Sequence, residues 1–221
     1  MKATANGSAL DAEGFVLAGG QSARMGTDKA LVDFAGRPLI EHALSQLAGL
    51  GLTAKIAGAR RPLDTYSPVI PDEGRGPLDG ICAALEVCAA PLAVFVSVDM
   101  PLVPPSAIAA LLQAARVAAP GGVLFTLNGF IQTFPAVIDR VLLPALVAEL
   151  SSGHSGCLRA TRSAAQALNR PLRLLPVEHL AQADICRDAA YLHPLFWFLN
   201  LNTPGEIFAA SQLLHGKARV I

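Results

Sequence analysis

The chain has 221 residues, a length that fits one domain with a single buried core. Hydrophobic residues make up 52% of it and charged residues 15%, a composition that excludes an intrinsically disordered protein. The 17 Lys and Arg residues balance 17 Asp and Glu residues, so there is no net charge to attract nucleic acid or an anionic membrane surface. Any phosphate site must therefore come from a local group of residues.

The N-terminus and the apolar runs bear on location. Residues 1–13 are small and polar and contain no apolar stretch, so they do not resemble a signal peptide, and we expect a flexible leader. Long apolar runs such as residues 92–98 have the length of a strand and are too short for a membrane-spanning helix. These features predict a cytoplasmic protein with no membrane partner.

Short apolar strands alternate with helices over the first half of the chain. Strands are predicted over residues 14–17, 54–57, 68–70, 92–98 and 123–127. Helices are predicted from Pro38 to the stop at Gly49 and Gly51, over residues 77–89, and over residues 105–118. Because residues 92–98 are apolar throughout, they fit a central parallel strand that is covered on both faces. The alternation predicts a doubly wound α/β fold.

After about residue 129 the pattern is less regular. We predict a strand over residues 134–138, helices over 142–150 and 158–168, a strand over 172–177, an apolar strand end that includes the aromatic run 196–198, and a last helix from Thr203. No internal repeat or obvious linker interrupts the chain. We expect a single domain over residues 14–221, with two functional halves that meet near residue 128.

A glycine-rich loop follows the first predicted strand. Residues 17–31 read LAGGQSARMGTDKAL, at the position where parallel sheets place their ligand loops. Glycines let backbone amides line an anion closely, Arg24 offers forked contacts, and Lys29 supplies a compact positive charge. The string is neither a Walker A loop nor a GxGxxG motif. A simple Gly-Gly turn beside two solvated cations is the alternative.

A second glycine-rich string, PDEGRGPLDG, occupies residues 71–80. Gly76 permits an unusual backbone angle, and Pro77 suits the first position of a helix. Unpaired amides at that helix start can meet ribose or base oxygens. Taken alone, the string also fits an ordinary loop that leads into a helix and has no ligand. Because it follows the first glycine-rich loop in the chain, we interpret it as a candidate nucleoside site.

Asp99 follows the most apolar strand of the chain. A carboxylate at the end of a buried strand is costly unless it is paired or bound to a metal. The position suits Mg²⁺, which binds few carboxylates together with phosphate oxygens. A turn-forming Asp before Pro101 is the alternative.

The string NLNTPGE at residues 200–206 precedes the last helix. Thr203 and Glu206 form a capping box, and Pro204 fits the first helical position. Asn200 and Asn202 alternate on the predicted strand end, so we expect both to face one side as ligands or as loop-stabilising residues.

Cysteine and histidine spacing indicates no catalytic or metal cluster. The four cysteines, Cys82, Cys88, Cys157 and Cys186, form no CxxC pair, and we expect buried free thiols. The five histidines show no HExxH or HxH spacing.

Four strings of the sequence are LAGGQSARMGTDKAL, PDEGRGPLDG, VDMPL around Asp99, and NLNTPGE. Together they resemble the molybdenum cofactor guanylyltransferase (MobA-like) family of the nucleotidyltransferase superfamily, and the resemblance covers about residues 14–214. It implies a Rossmann-like three-layer α/β sandwich with a mostly parallel central sheet. It also implies transfer of GMP from Mg-GTP to molybdopterin, with release of pyrophosphate. Cofactor-synthesis proteins or recipient molybdoenzymes are implied as transient partners.

The resemblance also assigns roles by motif position. The first half would bind the nucleotide and the second half the acceptor. Nucleotide binding is expected of Leu17, Ala18, Gly19, Gly20, Arg24, Lys29, Asp72, Gly76, Leu78, Gly80 and Asp99; catalysis of Arg24, Lys29 and Asp99; metal binding of Asp99; and acceptor binding of Asn200 and Asn202. GTP is favoured over CTP because related cytidylyltransferases usually read LAAG in the first loop and lack GPLxG.

The acceptor half departs from the family pattern at three places. Gln132-Thr133 stands where the family often has His-Pro, residues 153–156 read GHSG where a basic pair is common, and the aromatic run 196–198 is unusual. Other readings therefore remain open: a cytidylyltransferase, a sugar-phosphate or alcohol-phosphate nucleotidyltransferase, or a non-catalytic nucleotide or cofactor carrier.

Overall fold

The computed structural model describes residues 11–19, 28–58, 63–183 and 192–215. They form a seven-stranded sheet in the order β5-β4-β1-β6-β8-β7-β9, and a small hairpin, β2-β3. The strands are Ala12–Leu17 (β1), Asp33–Phe34 (β2), Arg37–Pro38 (β3), Ala54–Ala57 (β4), Val69–Ile70 (β5), Leu92–Ser97 (β6), Gly122–Leu127 (β7), Phe130–Asp139 (β8) and Leu172–Pro176 (β9).

Helices cover both faces of the large sheet. They are Leu39–Ala48 (α1), Pro77–Val87 (α2), Pro105–Ala118 (α3), Leu143–Ser151 (α4), Cys157–Ala167 (α5), Val177–Gln182 (α6) and Pro204–His215 (α7). One hydrophobic core joins the sheet to α1, α3, α6 and α7, and a second joins it to α2, α4 and α5. The predicted three-layer α/β architecture is therefore confirmed. No helix in the described ranges is both long and apolar enough to cross a bilayer.

The central strand β6 shows why its sequence is apolar throughout. Val94 and Val96 contribute to one core, while Ala93 and Phe95 contribute to the other. Strand residues alternate between the two faces of a sheet, so a strand covered on both sides has no polar face. Its neighbour β1 pairs in parallel and stacks the Phe15 ring on that of Phe95, with ring centroids 5.5 Å apart.

The sheet is mostly parallel, with one antiparallel strand in its interior. Four pairings in the sheet are parallel, and only β8 runs against its neighbours β6 and β7. The strand predicted over residues 134–138 begins earlier, at Phe130. Asn128 and Gly129 have φ angles of 51° and 78° and join β7 to β8 as a two-residue hairpin loop. This Asn-Gly pair is the sequence signal for the hairpin.

The N-terminal boundary differs from the predicted flexible leader over residues 1–13. Strand β1 begins at Ala12, and Glu13 is buried within it. The Glu13 carboxylate accepts hydrogen bonds from the Lys55 ammonium at 3.0 Å and from the Ala89 backbone amide at 2.8 Å. A polar residue inside β1 is tolerated because these two donors satisfy its charge. Residues 1–10 lie outside the described ranges.

The prediction of a strand near residues 196–200 is wrong. Residues Pro194–Phe196 form a single 3₁₀ turn, and the chain then runs without regular structure to α7. Trp197 is buried, and its indole N–H donates to the Leu192 carbonyl at 3.2 Å. A buried aromatic cluster, rather than a strand, explains the apolar sequence of this segment.

Candidate functional site

Lys29, Asp99 and Asn202 meet at one point of the structure, although they come from three separate motifs. The Lys29 ammonium lies 2.8 Å from Oδ2 of Asp99 and 2.5 Å from Oδ1 of Asn202. The Lys29 and Asp99 side chains are 17% and 19% exposed, so the group is partly shielded yet open to a ligand. The predicted catalytic lysine, the predicted metal ligand and one predicted acceptor residue are thus brought together.

The end of β6 places Asp99 at this point. Its Oδ1 accepts a hydrogen bond from the Ser97 hydroxyl, which leaves Oδ2 directed toward Lys29. The backbone carbonyl of Asp99 accepts a hydrogen bond from the Leu201 amide at 2.9 Å. This backbone contact ties the C-terminal segment to the end of β6, and it positions Asn202 one residue later.

The start of α7 fixes the orientation of Asn202. Glu206 accepts a hydrogen bond from the Asn202 backbone amide at 2.7 Å, and its own amide donates to the Thr203 hydroxyl at 3.2 Å. The bond from the Asn202 amide is the largest cause of a lowered pKa at Glu206. The predicted capping residues Thr203 and Glu206 therefore also position Asn202, because Glu206 accepts the hydrogen bond from its backbone amide.

A pocket of about 300 Å³ gathers most of the residues predicted to bind the nucleoside. It is lined by Leu17, Gly19, Ala57, Gly58, Asp72, Gly74, Arg75, Gly76, Pro77 and Gly80. Gly76 precedes α2 with a φ of 106°, an angle that L-residues rarely adopt. The pocket and the lysine cluster both follow the carboxyl ends of parallel strands, where α/β sheets bind ligands.

Two glycines bring adjacent loops into contact at the pocket floor. A Cβ on Gly19 would lie 2.6 Å from the Gly58 carbonyl oxygen, and a Cβ on Gly58 would lie 3.0 Å from an Asp72 carboxylate oxygen. The Ala18 amide donates to the Ala57 carbonyl beside them at 3.0 Å. Sequence reasoning missed Gly58, whose only signal is a glycine directly after a short strand.

Arg75 and Asp79 form a second feature that the sequence did not reveal. The Arg75 guanidinium donates to Oδ1 of Asp79 at 2.8 Å, and the Arg75 amide donates to Oδ2 at 3.2 Å. Burial raises the pKa of Asp79, but these bonds outweigh it, and the net pKa lies below its usual value. The ion pair fastens the loop before Gly76 to the first turn of α2.

Five predicted site residues are not placed in the pocket or in the lysine cluster. Ala18 lies beside the pocket, where its amide donates to the Ala57 carbonyl. Leu78 is fully buried in the core beneath α2, so its side chain does not line the pocket. It belongs to the apolar face of the helix, which packs on the sheet. Asn200 is exposed, and the absence of a strand there removes the reason for it to share a side with Asn202. Gly20 and Arg24 lie outside the described residues.

The donor chemistry around Asp99 fits a hard divalent cation. Asp99 offers carboxylate oxygens and Asn202 an amide oxygen, which are ligands that Mg²⁺ accepts. In the described part of the chain no three His, Cys, Asp or Glu side chains are grouped closely enough to hold a metal. A magnesium ion here would therefore need substrate phosphate oxygens to complete its ligands, as is usual for this ion.

The departures in the acceptor half have structural roles. His154 joins α4 to α5: its Nδ1 lies 2.9 Å from Glu149, and its Nε2 accepts from Arg159 at 2.9 Å. The hydrogen bond from the Ser163 hydroxyl is the largest cause of a lowered pKa at Glu149. Gln132 lies on β8 and donates to the Phe130 carbonyl at 3.1 Å.

Comparison with known sequences gives a consistent set of relatives. A profile of the MobA-like NTP transferase domain matches residues 14–169. A molybdenum cofactor guanylyltransferase of Bordetella petrii is 37% identical over 156 residues, which are 65% of this chain and 79% of that protein. One from Vibrio atlanticus is 31% identical over 200 residues, which are 87% and 91% of the two chains.

Solved structures share the fold at lower identity. Molybdopterin-guanine dinucleotide biosynthesis protein A from Archaeoglobus fulgidus has a TM-score of 0.71 and 22% identity, covering 92% of this chain and 98% of its own. The 2-C-methyl-D-erythritol 4-phosphate cytidylyltransferase from Thermus thermophilus has a TM-score of 0.63 and 17% identity, covering 91% and 98%. The second similarity shows that the same architecture serves another nucleotidyltransferase.

Proposed function

Because this chain belongs to the family that is defined by the MobA-like NTP transferase domain, we propose that it transfers GMP from Mg-GTP to the phosphate of molybdopterin. The products are molybdopterin guanine dinucleotide and pyrophosphate. The observation that carries this proposal is the meeting of Lys29, Asp99 and Asn202. It joins a phosphate-loop cation, a metal-ligand candidate and an acceptor-side residue in one cluster.

The acceptor supplies its own nucleophile. A phosphate monoester is mostly ionised near neutral pH because its second pKa is about 6. One of its oxygens attacks the α-phosphorus of GTP, a new phosphorus–oxygen bond forms, and the bond to the β-phosphate breaks as pyrophosphate leaves. No side chain has to remove a proton, so the site needs positioning and charge neutralisation rather than a general base.

Lys29 has the position for charge neutralisation. Its ammonium is held by two oxygen acceptors just after the end of β6, the strand that pairs with β1, and the glycine-rich loop follows β1. A fixed cation beside developing negative charge stabilises the transition state, because it needs no reorganisation during the reaction. Arg24 is proposed, from its place in the motif, to add a forked contact to the triphosphate.

Asp99 is proposed to hold Mg²⁺, with substrate phosphates completing the ligand set. When bound, the ion would draw negative charge from the phosphate oxygens and help to align the triphosphate. Two contacts support this role: the Ser97 hydroxyl orients one Asp99 oxygen, and Lys29 contacts the other.

The glycine-lined pocket is proposed to hold the nucleoside. Leu17 and Gly19 line the pocket from the first loop, and Asp72, Gly76 and Gly80 line it from the second. Ala18 and Gly20 are proposed to take part from their place in the motif alone. We propose only a backbone role for Leu78, at the N-terminal turn of α2, because its side chain is buried. The preference for GTP is carried by the guanylyltransferase relatives.

Acceptor binding is proposed for Asn202 and, at the exposed surface before it, Asn200. Transient contacts with cofactor-synthesis proteins or recipient molybdoenzymes, and a cytoplasmic location, remain predictions.

Pyrophosphate release tests the proposal. The purified full chain is incubated with Mg²⁺ and GTP, CTP, ATP or UTP, each with and without molybdopterin. We expect release only with GTP and molybdopterin together. Release with CTP instead would assign a cytidylyltransferase, and tight GTP binding without any release would refute transfer.

The Asp99→Asn variant separates a transferase from a carrier. A transferase should lose turnover by on the order of 100-fold or more while nucleotide affinity changes far less. Asp64→Asn is the matched control, because Asp64 is exposed and belongs to none of the motifs. A carrier would show a change in binding only.

A further inference from the structure

A cavity of about 700 Å³ lies between α1, the loop after Met100 and the end of α7. It shares no lining residue with the nucleoside pocket. Its walls are flat or apolar groups: Phe34, Pro101, Pro104, Trp197 and Leu214. This volume is typical of a small-molecule site, and the flat walls favour a planar body.

A buried glutamine gives the cavity a fixed polar group. Gln46 is only 4% exposed, and its amide nitrogen donates to the carbonyls of Met100 and Val103, each at 2.9 Å. These two bonds use both N–H groups and fix the orientation of the amide. No donor within the described ranges reaches its Oε1, and that oxygen is not among the solvent-inaccessible side-chain atoms. Gln46 lines the cavity, and Oε1 is the atom of its amide that is left to accept a hydrogen bond from a ligand there.

A cation is fixed at the mouth of the same cavity. The His42 Nε2 donates to the Phe34 carbonyl at 2.7 Å, which leaves Nδ1 to accept from the Arg37 guanidinium at 3.3 Å. Arg37 also donates to the Ser45 hydroxyl at 3.4 Å. In the part of the chain that the structure describes, no carboxylate lies within 4.0 Å of this guanidinium. Its remaining N–H groups suit an anion.

We propose that this cavity is a second ligand site, separate from the nucleotide pocket, for a planar aromatic anion that carries one N–H or O–H donor. The ring lies between the apolar walls, the donor meets Gln46 Oε1, and the anionic group meets Arg37. This inference does not depend on the proposed transferase activity, because the two sites share no residues.

The fluorescent dye 1-anilinonaphthalene-8-sulfonate is a suitable probe, since it combines planar rings, one N–H donor and one sulfonate. Trp197 is the only tryptophan of the chain and lies in the cavity wall, so energy transfer from Trp197 to the dye reports binding to the folded chain, and the variants below assign it to this cavity. We expect saturable binding of one dye per folded chain, with matching loss of Trp197 emission.

Three variants make the test specific. Arg37→Ala should weaken dye binding about fivefold, the effect of losing a partly exposed charge-assisted bond. Arg162→Ala on the opposite face is the matched control and should bind as the wild type does. Ser45→Phe should block the cavity and abolish saturable energy transfer. Dye that does not saturate, or that binds equally to folded Arg37→Ala and Ser45→Phe chains, would overturn the proposal.

Discussion

The side-chain oxygen of Asn202 accepts a hydrogen bond from the Lys29 ammonium, although 173 positions separate the two residues. The contact depends on the backbone bond from the Leu201 amide to the Asp99 carbonyl, which brings the last segment of the chain to the end of β6. Lys29 is therefore held from two sides, by Asp99 at the end of β6 and by Asn202 just before α7. Two segments that are distant in the sequence thus contact the same ammonium group.

Lys29→Ala should reduce turnover without unfolding the protein. Removing a fixed cation from the reacting phosphates is expected to lower kcat by about 100- to 1000-fold. The measurement is pyrophosphate release at saturating GTP and molybdopterin. Arg162→Ala is the control for loss of a cation, because Arg162 is exposed on α5, away from this cluster. Equal activity of Lys29→Ala and wild type would remove Lys29 from the mechanism.

Asn202→Ala should affect activity more than Asn200→Ala. Asn202 holds the Lys29 ammonium directly, while Asn200 is exposed two residues earlier. Loss of one hydrogen bond to a charged group corresponds to about a tenfold reduction in kcat/KM. Steady-state kinetics with molybdopterin as the varied substrate measures both variants. If Asn200→Ala proves the more damaging variant, acceptor binding depends on the exposed residue instead.

The sequence predicted the parts of the site that follow from local chemistry. Glycine-rich loops after apolar strands, a carboxylate at the end of β6 and a helix cap at Thr203 all have short-range signals. The glycine-rich loops and Asp99 converge because loops that follow parallel strands emerge at the same edge of the sheet. The segment before Thr203 joins them through the backbone bond from Leu201 to Asp99, which the sequence does not indicate. The fold class could be predicted from short-range signals as well.

Features that depend on long-range pairing could not be predicted. Hydrophobic pattern identifies β8 as a strand but does not say that it inserts between β6 and β7. The Arg75–Asp79 pair and the close approach of Gly58 depend on distances between loops, which the sequence does not contain. The aromatic run at residues 196–198 was misread because a buried loop and a short strand are equally apolar.

Gly58→Ala should damage both stability and nucleotide binding. Gly58 has a φ of 77°, and a Cβ there would lie 3.1 Å from Cα of Gly19. Gly51→Ala is a matched control, because its φ is 71° but no atom lies within 4 Å of the added Cβ. Both variants should lose about 1–2 kcal/mol from backbone strain. Only Gly58→Ala should also weaken GTP binding, measured by calorimetry, and equal GTP affinity in the two variants would exclude a role for this close approach.

The buried Glu13 should make stability depend on pH. Burial raises the pKa of Glu13, but the hydrogen bond from Lys55 and those from the backbone amides more than offset it, so the net pKa is lowered. A carboxyl with a lower pKa in the folded state stabilises the fold above its unfolded pKa of about 4.3. That stabilisation is lost as the pH falls through the folded-state pKa, because the folded and unfolded forms then carry the same proton.

Glu13→Gln should therefore lower the free energy of unfolding at neutral pH by about 1–3 kcal/mol, since the Lys55 ammonium and the Ala89 amide lose a charged acceptor. The difference from wild type should shrink as the pH falls below about 4. Urea unfolding at several pH values measures it. Glu86→Gln, at an exposed position near the end of α2, should change stability by less than about 0.5 kcal/mol. A Glu13→Gln deficit that stays constant down to low pH would show that shape, and not charge, is what this position supplies to the fold.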